Sequence, residues 1–266
     1  MDYLKFILYG LIQGLTEFIP VSSTAHLKVI SLFLGIDDPG APLSATIQIG
    51  SVFAIAWYFR KDIFNYRIQS SQKFIEYLLH ERLLRSIFIG TIPILLLGGI
   101  IKLFTPSFFE NVLRSNLSIA LVSFLMAFFM YLADRSKKGS INIKNHNYLD
   151  SLLIGFSQAF AIFPGVSRSG VTISSALISG WERGDAAKFS FLLGMPAIAL
   201  AAIVGFISSF DEFLSLGFLP LFVGLITSFL SSLLAIDFLL KYFSSNGLKI
   251  FIIYRVIFGI VILLNL

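Results

Sequence analysis

Long apolar segments alternate with short polar ones along the whole chain. Apart from two interrupted segments, the apolar runs form six fuller spans, and a bilayer crossing needs about 20 apolar residues. These spans cover residues 43–59, 87–104, 114–133, 188–208, 217–240 and 248–264. Alternating ten-residue strands, which build outer-membrane barrels, are not seen in the pattern. The sequence therefore predicts an all-α polytopic membrane protein.

The first interrupted segment lies at the start of the chain. Residues 3–19 predict a helix of roughly 17 residues, slightly too short to cross the bilayer. Pro20 ends this helix, because proline lacks the N–H and clashes with the preceding turn. Ser22, Ser23 and Thr24 then offer N-caps for a second helix of about a dozen residues. A short helix, a break and a shorter helix predict a re-entrant hairpin.

The distribution of Lys and Arg predicts the orientation of the chain. Linkers 60–85 and 134–147 are rich in both residues and should be cytoplasmic, whereas connections 105–113 and 209–216 are poor in them and should be external. The first hairpin then enters the membrane from outside. A second broken segment, 149–179, enters from inside, so the two hairpins enter from opposite faces.

The two halves of the chain resemble each other at an offset of 144 to 145 residues. Gly35, for example, corresponds to Gly180 in the second half. A hairpin and the spans after it, repeated with opposite orientation, form the inverted-repeat arrangement of many membrane proteins. We predict a single integral membrane domain over 1–266: six transmembrane helices and two re-entrant hairpins, with repeat 1 at about 3–133 and repeat 2 at about 149–264.

Composition supports this class and narrows the chemistry. The chain is 56% hydrophobic and 13% charged, with a mean hydropathy of +0.87. It has no cysteine, which excludes disulfides and thiolate chemistry. Much of the net charge of +5 lies in the two predicted cytoplasmic linkers. The positive-inside rule accounts for that charge, and nothing points to a nucleic-acid partner.

The first break contains a carboxylate and an imidazole. Glu17 shares a helix face with Gln13, four residues earlier, and an ionised group in an apolar segment costs at least ~2.5–3.5 kcal/mol. Glu17 either reaches water at a helix end or acts as a metal ligand or acid–base group beside a substrate. His26, one turn past Ser22 and Ser23, is either a packing residue or an acid–base group.

The second break contains a guanidinium at the predicted start of a half-helix. Helix N-termini offer free N–H groups to anions, glycine allows close approach, and arginine pairs bidentately with phosphate. Alternatively, an ion pair between Arg168 and Glu17 only stabilises the fold. Arg255 in the last span is predicted to snorkel or to pair structurally. The candidate anion-binding residues are Ser167, Arg168, Ser169, Gly170 and Thr172.

Together these two stretches resemble the signatures of a known family. Residues 13–26, QGLTEFIPVSSTAH, and 164–172, PGVSRSGVT, resemble those of the bacterial undecaprenyl-diphosphate phosphatases, the bacitracin-resistance proteins. The resemblance implies hydrolysis of undecaprenyl diphosphate to undecaprenyl phosphate and inorganic phosphate. It places the reaction at the outer face of the bacterial cytoplasmic (inner) membrane, with a divalent cation, Mg²⁺ or Ca²⁺. It also implies recycling of the cell-wall lipid carrier and resistance to bacitracin.

The resemblance also implies roles for individual residues. Glu17 resembles the family's essential acid and is a candidate metal ligand, Ser23 its nucleophile or substrate-binding serine, and His26 its catalytic imidazole. Arg168 resembles a phosphate-binding group and completes the predicted catalytic set. Ser23 with His26 as base, His26 itself or water could attack the phosphorus. The predicted phosphate-binding residues are Gln13, Ser22, Thr24, Ser167, Ser169, Gly170 and Thr172.

One other function is compatible with the pattern. Inverted repeats with broken helices are also typical of secondary carriers, so the alternative is a transporter or flippase for a phosphorylated lipid or an anionic solute. A purely structural scaffold does not explain the polar groups in two apolar segments. The partners we expect are a long-chain prenyl diphosphate and the bilayer; the sequence leaves a homodimer open.

Overall fold

The computed structural model describes residues 2–36, 38–64, 82–104, 113–137, 139–211, 214 and 218–265. Within these ranges the fold is helical, which confirms the predicted all-α class. Among the described residues, five helices are long and apolar enough to cross a membrane. The eleven α-helices of the described ranges are α1 Asp2–Phe18, α2 Ser23–Leu34, α3 Gly40–Tyr58, α4 Arg60–Phe64, α5 Arg82–Phe104, α6 Asn116–Asp134, α7 Tyr148–Ala159, α8 Arg168–Ile178, α9 Arg183–Ser208, α10 Phe218–Phe243 and α11 Lys249–Leu264.

The helix bounds follow the predicted segments with small differences. The last predicted span, 248–264, is helical over Lys249–Leu264, 16 residues, which is shorter than the five crossing helices. Much of three predicted connections lies outside the described residues, namely 65–81, 105–112 and most of 212–217. The orientation inferred from their charges therefore stays a prediction.

Both interrupted segments fold as two helices with a turn between them. α1 ends at Phe18 and α2 begins at Ser23, while α7 ends at Ala159, passes through a 3₁₀ turn and is followed by α8 from Arg168. The residue before each second helix has a left-handed backbone. Ser22 has φ 77° and Ser167 has φ 64°. Such strain, of order 1–3 kcal/mol, clusters at functional sites.

Helix packing repeats between the two halves. α1 packs along α10, and its counterpart in the second half, α7, packs along α5. Likewise α3 packs against α9 and α10, and its counterpart α9 packs against α3 and α5. Close approach needs small residues at equivalent positions. A Cβ at Gly10 would lie 2.3 Å from the Gly224 oxygen, and one at Gly155 would lie 2.2 Å from the Gly90 oxygen.

His146 fixes the loop between α6 and α7. Its Nδ1 donates to the Ile143 carbonyl at 2.8 Å, and its Nε2 accepts from the Ser86 hydroxyl at 2.8 Å. The ring also lies against Trp181. Burial lowers the pKa of His146 below its ordinary value. The unfolded chain therefore binds this proton more readily than the folded one, and stability is lost as the pH falls below about 6.5.

Replacing His146 with asparagine should make the protein's stability less sensitive to acid. At pH 8 the variant should melt at a lower temperature than the unmodified protein, because the contacts to Ser86 and Ile143 are weakened. As the pH falls toward 5 the two melting temperatures should converge, because only the unmodified protein has a histidine at position 146 whose protonation is opposed by burial. Melting curves in detergent across this range measure the difference. A difference that stays constant with pH would contradict the assignment.

Candidate active site

The two turns meet in the interior and bring together an acid and a guanidinium from opposite halves of the chain. Glu17 lies near the end of α1, and Arg168 is the first residue of α8. Arg168 Nη2 lies 3.3 Å from Glu17 Oε1, and both side chains are buried. The spatial convergence on which the predicted site depends is therefore present in the fold.

Glu17 is surrounded by donors. Its Oε2 accepts hydrogen bonds from Gln13 Nε2 at 2.6 Å and from the Ser23 hydroxyl at 2.8 Å. Its Oε1 accepts from Arg168. The two oxygens of Glu17 therefore hold side chains from α1, α2 and α8 together. Ser23, predicted as a nucleophile or a substrate-binding serine, thus shares one carboxylate with Arg168.

Arg168 is oriented by two acceptors and retains a further donor. Nη1 donates to the Ser190 carbonyl at 3.0 Å, and Nη2 donates to Glu17. Nε is buried and has no hydrogen-bond partner in the part of the chain that the structure describes. Thr172 donates to the Arg168 carbonyl at 2.8 Å and contacts the Ser190 hydroxyl at 2.5 Å. Thr172 therefore links the backbone of Arg168 to Ser190, the residue whose carbonyl accepts from the guanidinium.

The serines beside Arg168 connect the turns. The Ser167 hydroxyl accepts from the Gly170 N–H at 3.2 Å and contacts the Ser169 hydroxyl at 3.3 Å. Ser169 donates to the Ile19 carbonyl at 3.3 Å, across the two halves. A Cβ at Gly170 would lie 3.2 Å from Ser167 and 3.5 Å from Pro20. The tight contact would be with Ser167 of the same turn, whereas 3.5 Å to Pro20 is an ordinary van der Waals distance.

A cavity of about 280 Å³ opens between the turns. Its polar lining includes six predicted residues from both halves, and its apolar walls come from α5, α9 and the second break. Among the predicted residues, Gln13, His26, Ser169, Gly170 and Thr172 do not line the cavity. The predicted residues that line the cavity are Glu17, Ser22, Ser23, Thr24, Ser167 and Arg168.

Comparison with known proteins decides the family. The family model of the bacitracin resistance protein BacA matches residues 6–261. The chain belongs to the BacA family. An undecaprenyl-diphosphatase of Prochlorococcus marinus strain MIT 9301 is 88% identical over 266 residues, covering 100% of both chains. The protein of the same name in strain AS9601 is 85% identical over 100% of this chain and 97% of the relative. That of strain MIT 9303 is 45% identical over 96% and 88% of the two chains.

In this BacA family member, His26 is turned away from Ser23. Its Nδ1 donates to the Ser22 carbonyl at 2.7 Å, which leaves Nε2 of the neutral ring to accept from the Tyr254 hydroxyl at 2.6 Å. The ring also stacks on Phe258, with centroids 4.3 Å apart. Both ring nitrogens are therefore engaged in holding the Ser22 turn against α11.

Sequence reasoning missed three polar residues of the cavity in this BacA family member, one of which is Ser44 on α3. Gln48 on α3 and Arg114, just before α6, both line it. Arg114 forms an ion pair with Asp38 at 2.8 Å. None of these residues belongs to stretches 13–26 and 164–172, and only the fold brings them to the cavity. In sequence, Arg114 was recognisable only as the residue at which a predicted span begins.

The residues around Glu17 fit a divalent cation that also binds substrate oxygens. Within the described ranges no three His, Asp or Glu side chains form a cluster, so the protein's own donor set is small. Gln13 Oε1 is buried and has no hydrogen-bond partner among those residues. Carboxylate and amide oxygens are hard ligands, and Mg²⁺ is commonly bound by one or two carboxylates and substrate phosphates. Glu17 and Gln13 match that pattern.

Gly194 on α9 makes room for the Arg168 guanidinium. A Cβ at position 194 would lie 1.8 Å from Arg168 Nη1 and 2.2 Å from its Cζ. Gly194→Ala should therefore displace the guanidinium from Ser190 and Glu17, and phosphate release should fall about 100-fold, the effect of a misplacement near 1 Å. Initial rates of phosphate release, normalised to folded protein, measure this.

Gly184→Ala is the matched control on the same helix. A Cβ at Gly184 would meet nothing within 4 Å, so this variant should keep the unmodified rate. Equal rates for the Gly194 and Gly184 variants would show that the space beside Arg168 is unimportant.

Proposed function

We propose that the cavity between the two broken helices is where undecaprenyl diphosphate is hydrolysed. The chain is an undecaprenyl-diphosphatase of the BacA family, releasing inorganic phosphate and returning undecaprenyl phosphate to cell-wall synthesis. One observation carries the assignment of the site: the contact between Glu17 and Arg168, from opposite halves of the chain, at the same carboxylate that accepts from Ser23.

The chemistry of the cavity suits a diphosphate. Cleavage of a phosphoanhydride depends chiefly on positioning and on neutralising the charge of the phosphate oxygens. The Arg168 guanidinium and the N-termini of α2 and α8 provide positive potential from both sides. Glu17 and Gln13 would hold a divalent cation, which supplies further neutralisation when bound.

Ser23 is the nucleophile we propose. Its hydroxyl donates to Glu17 Oε2, so the carboxylate is placed to accept the proton as the oxygen attacks the terminal phosphorus. The bond from that phosphorus to the bridging oxygen breaks, and undecaprenyl phosphate leaves. Water then hydrolyses the phosphoserine and releases inorganic phosphate. His26 contributes as a positioning residue by holding the Ser22 carbonyl.

We propose that the chain forms six membrane-spanning helices and two re-entrant hairpins, arranged as inverted repeats. The exchanged packing of α1 on α10 and α7 on α5 supports this arrangement, as do the left-handed Ser22 and Ser167. We propose that the cavity opens outward, since its rim includes Ala41 and Arg114, at helix ends that the Lys and Arg distribution assigns to the outside.

The apolar wall of the cavity gives the prenyl tail a route to the lipid. Ile94 of α5, Ile162 of the 3₁₀ turn and Ile198 of α9 line it. A phosphate-binding site next to apolar side chains suits a substrate with a charged head and a long hydrocarbon chain. A homodimer and the absence of a nucleic-acid partner stay predictions of the sequence.

Phosphate release by purified protein in detergent tests the proposal. Undecaprenyl diphosphate should yield inorganic phosphate, EDTA should stop the reaction, and Mg²⁺ or Ca²⁺ should restore it. The carrier alternative rests on the exchanged packing of the two halves. Movement of labelled lipid across proteoliposomes without phosphate release would support that alternative and overturn the phosphatase site.

A further inference from the structure

Arg255 has a buried guanidinium whose hydrogen-bond partners are backbone carbonyls. It lies on α11 and is 1% exposed. No carboxylate within the described residues forms an ion pair with it. Its guanidinium instead donates to three backbone carbonyls: Nη1 to Pro20 at 3.1 Å, Nη2 to Gly165, and Nε to Ser123 at 3.5 Å. The prediction that Arg255 snorkels is therefore wrong, because the guanidinium is buried; its structural pairing is with carbonyls distant in sequence.

Two of these carbonyls occupy equivalent positions in the two repeats. Pro20 and Gly165 are 145 residues apart, the same offset that separates Ser22 from Ser167. Each lies in the turn where one half-helix has ended and the next has not begun. Such carbonyls lack a helical N–H partner and need another donor. A single guanidinium supplies donors to both turns.

The third carbonyl, that of Ser123, connects the Arg255 guanidinium to α6. The Ser123 hydroxyl donates to the Arg255 carbonyl at 2.9 Å, while Arg255 Nε donates back to the Ser123 carbonyl. α6 and α11 pack along each other, so this reciprocal contact fixes Arg255 within a helix pair. Both turns are thus hydrogen-bonded to one side chain of the α6–α11 helix pair.

We infer that Arg255 is a positioning residue for the phosphatase reaction, which keeps the two turns in register. This inference rests on the proposed function. Two residues after Pro20 comes Ser22, and two residues after Gly165 comes Ser167, both with left-handed backbones. Strained backbone persists only where the surroundings over-determine it, and Arg255 supplies one such restraint to each turn. Through the turns it sets the separation of Ser23 from Arg168.

Substitution of Arg255 should lower kcat while leaving KM nearly unchanged. Arg255→Gln should lower kcat about 10- to 100-fold, since misplacement of catalytic groups affects the transition state most. The kcat of Arg255→Lys should lie between those of Arg255→Gln and the unmodified protein. An ammonium keeps the positive charge but cannot donate to several carbonyls in the planar arrangement of a guanidinium. Arg183→Gln is the control, since Arg183 pairs with Asp134 away from the cavity. A purely structural role would instead reduce the amount of active protein, with kcat per folded molecule unchanged.

A distance measurement tests the inference independently of activity. The chain has no cysteine, so spin labels at Leu32→Cys on α2 and Ile178→Cys on α8, both exposed positions, report the separation of the two hairpins. Arg255→Gln should broaden the distance distribution, and Arg183→Gln should not. An unchanged distribution together with unchanged kcat in both Arg255 variants would overturn the inference. If the unmodified protein released no phosphate, the proposed function would fail, while the distance result would still test the restraint.

Discussion

Replacing Arg168 with alanine is expected to lower kcat for phosphate release about 10³-fold or more. Removing an arginine that stabilises charge on a transferring phosphoryl group has effects of this order. Here the loss should be at the upper end, because this guanidinium contacts Glu17 directly, whereas Arg114, also in the lining, pairs with Asp38. Steady-state phosphate release from undecaprenyl diphosphate in detergent measures the change.

Two further variants show whether the effect belongs to the site. Arg168→Lys should recover little, since one ammonium cannot reach the Ser190 carbonyl, Glu17 and a phosphate together. Arg183→Ala removes a half-buried ion pair with Asp134 outside the cavity and should keep the rate per folded molecule. Activity of Arg168→Ala within tenfold of the unmodified protein would remove Arg168 from the reaction.

Replacing Glu17 with glutamine should be nearly as severe, with kcat lowered about 10³-fold. The amide keeps the shape but cannot accept the Ser23 proton, and it is a weaker ligand for a divalent cation. It also leaves Arg168 as a buried charge without its partner, which costs about 3–5 kcal/mol. The variant should therefore melt at a lower temperature and lose activity even in the folded fraction, which size-exclusion chromatography separates.

Glu182→Gln is the matched control for this substitution. Glu182 is an exposed residue that precedes α9, so its loss should change neither rate nor melting temperature appreciably. Retained kcat in Glu17→Gln, with restoration by the same Mg²⁺ concentration as the unmodified protein, would show that the carboxylate is dispensable.

The parts of the fold that the sequence predicted are those set by local chemistry. Pro20 and Pro164 marked both breaks, because proline stops a helix. The predicted serine cap is found at α8, where the Ser167 hydroxyl accepts from the Gly170 N–H, but the Ser22 hydroxyl makes no capping hydrogen bond at α2. The lengths of the apolar runs predicted the long helices to within a few residues. The correspondence of Gly35 with Gly180 reappears as two left-handed glycines. Apart from the repeat offset of 144 to 145 residues, each of these signals lies within or next to the segment it predicts.

The parts that the sequence did not predict depend on contacts between distant segments. His26 lies beside Ser22 and Ser23 in sequence, yet its ring contacts Tyr254 and Phe258, more than 200 residues later. Arg255 contacts carbonyls of both breaks, and no local pattern marks a carbonyl as an acceptor. Burial and orientation of such side chains are decided by helix packing, which the hydrophobic pattern specifies only by face.

A double-mutant cycle on Glu17→Gln and Arg168→Lys tests the central claim most directly. If the acid of one half and the guanidinium of the other grip one substrate, their losses in kcat/KM should be strongly non-additive. The double variant should then be about as active as the worse single variant. A double variant whose loss equals the product of the two single losses would mean that these residues act independently, and it would contradict a single site built from both halves of the chain.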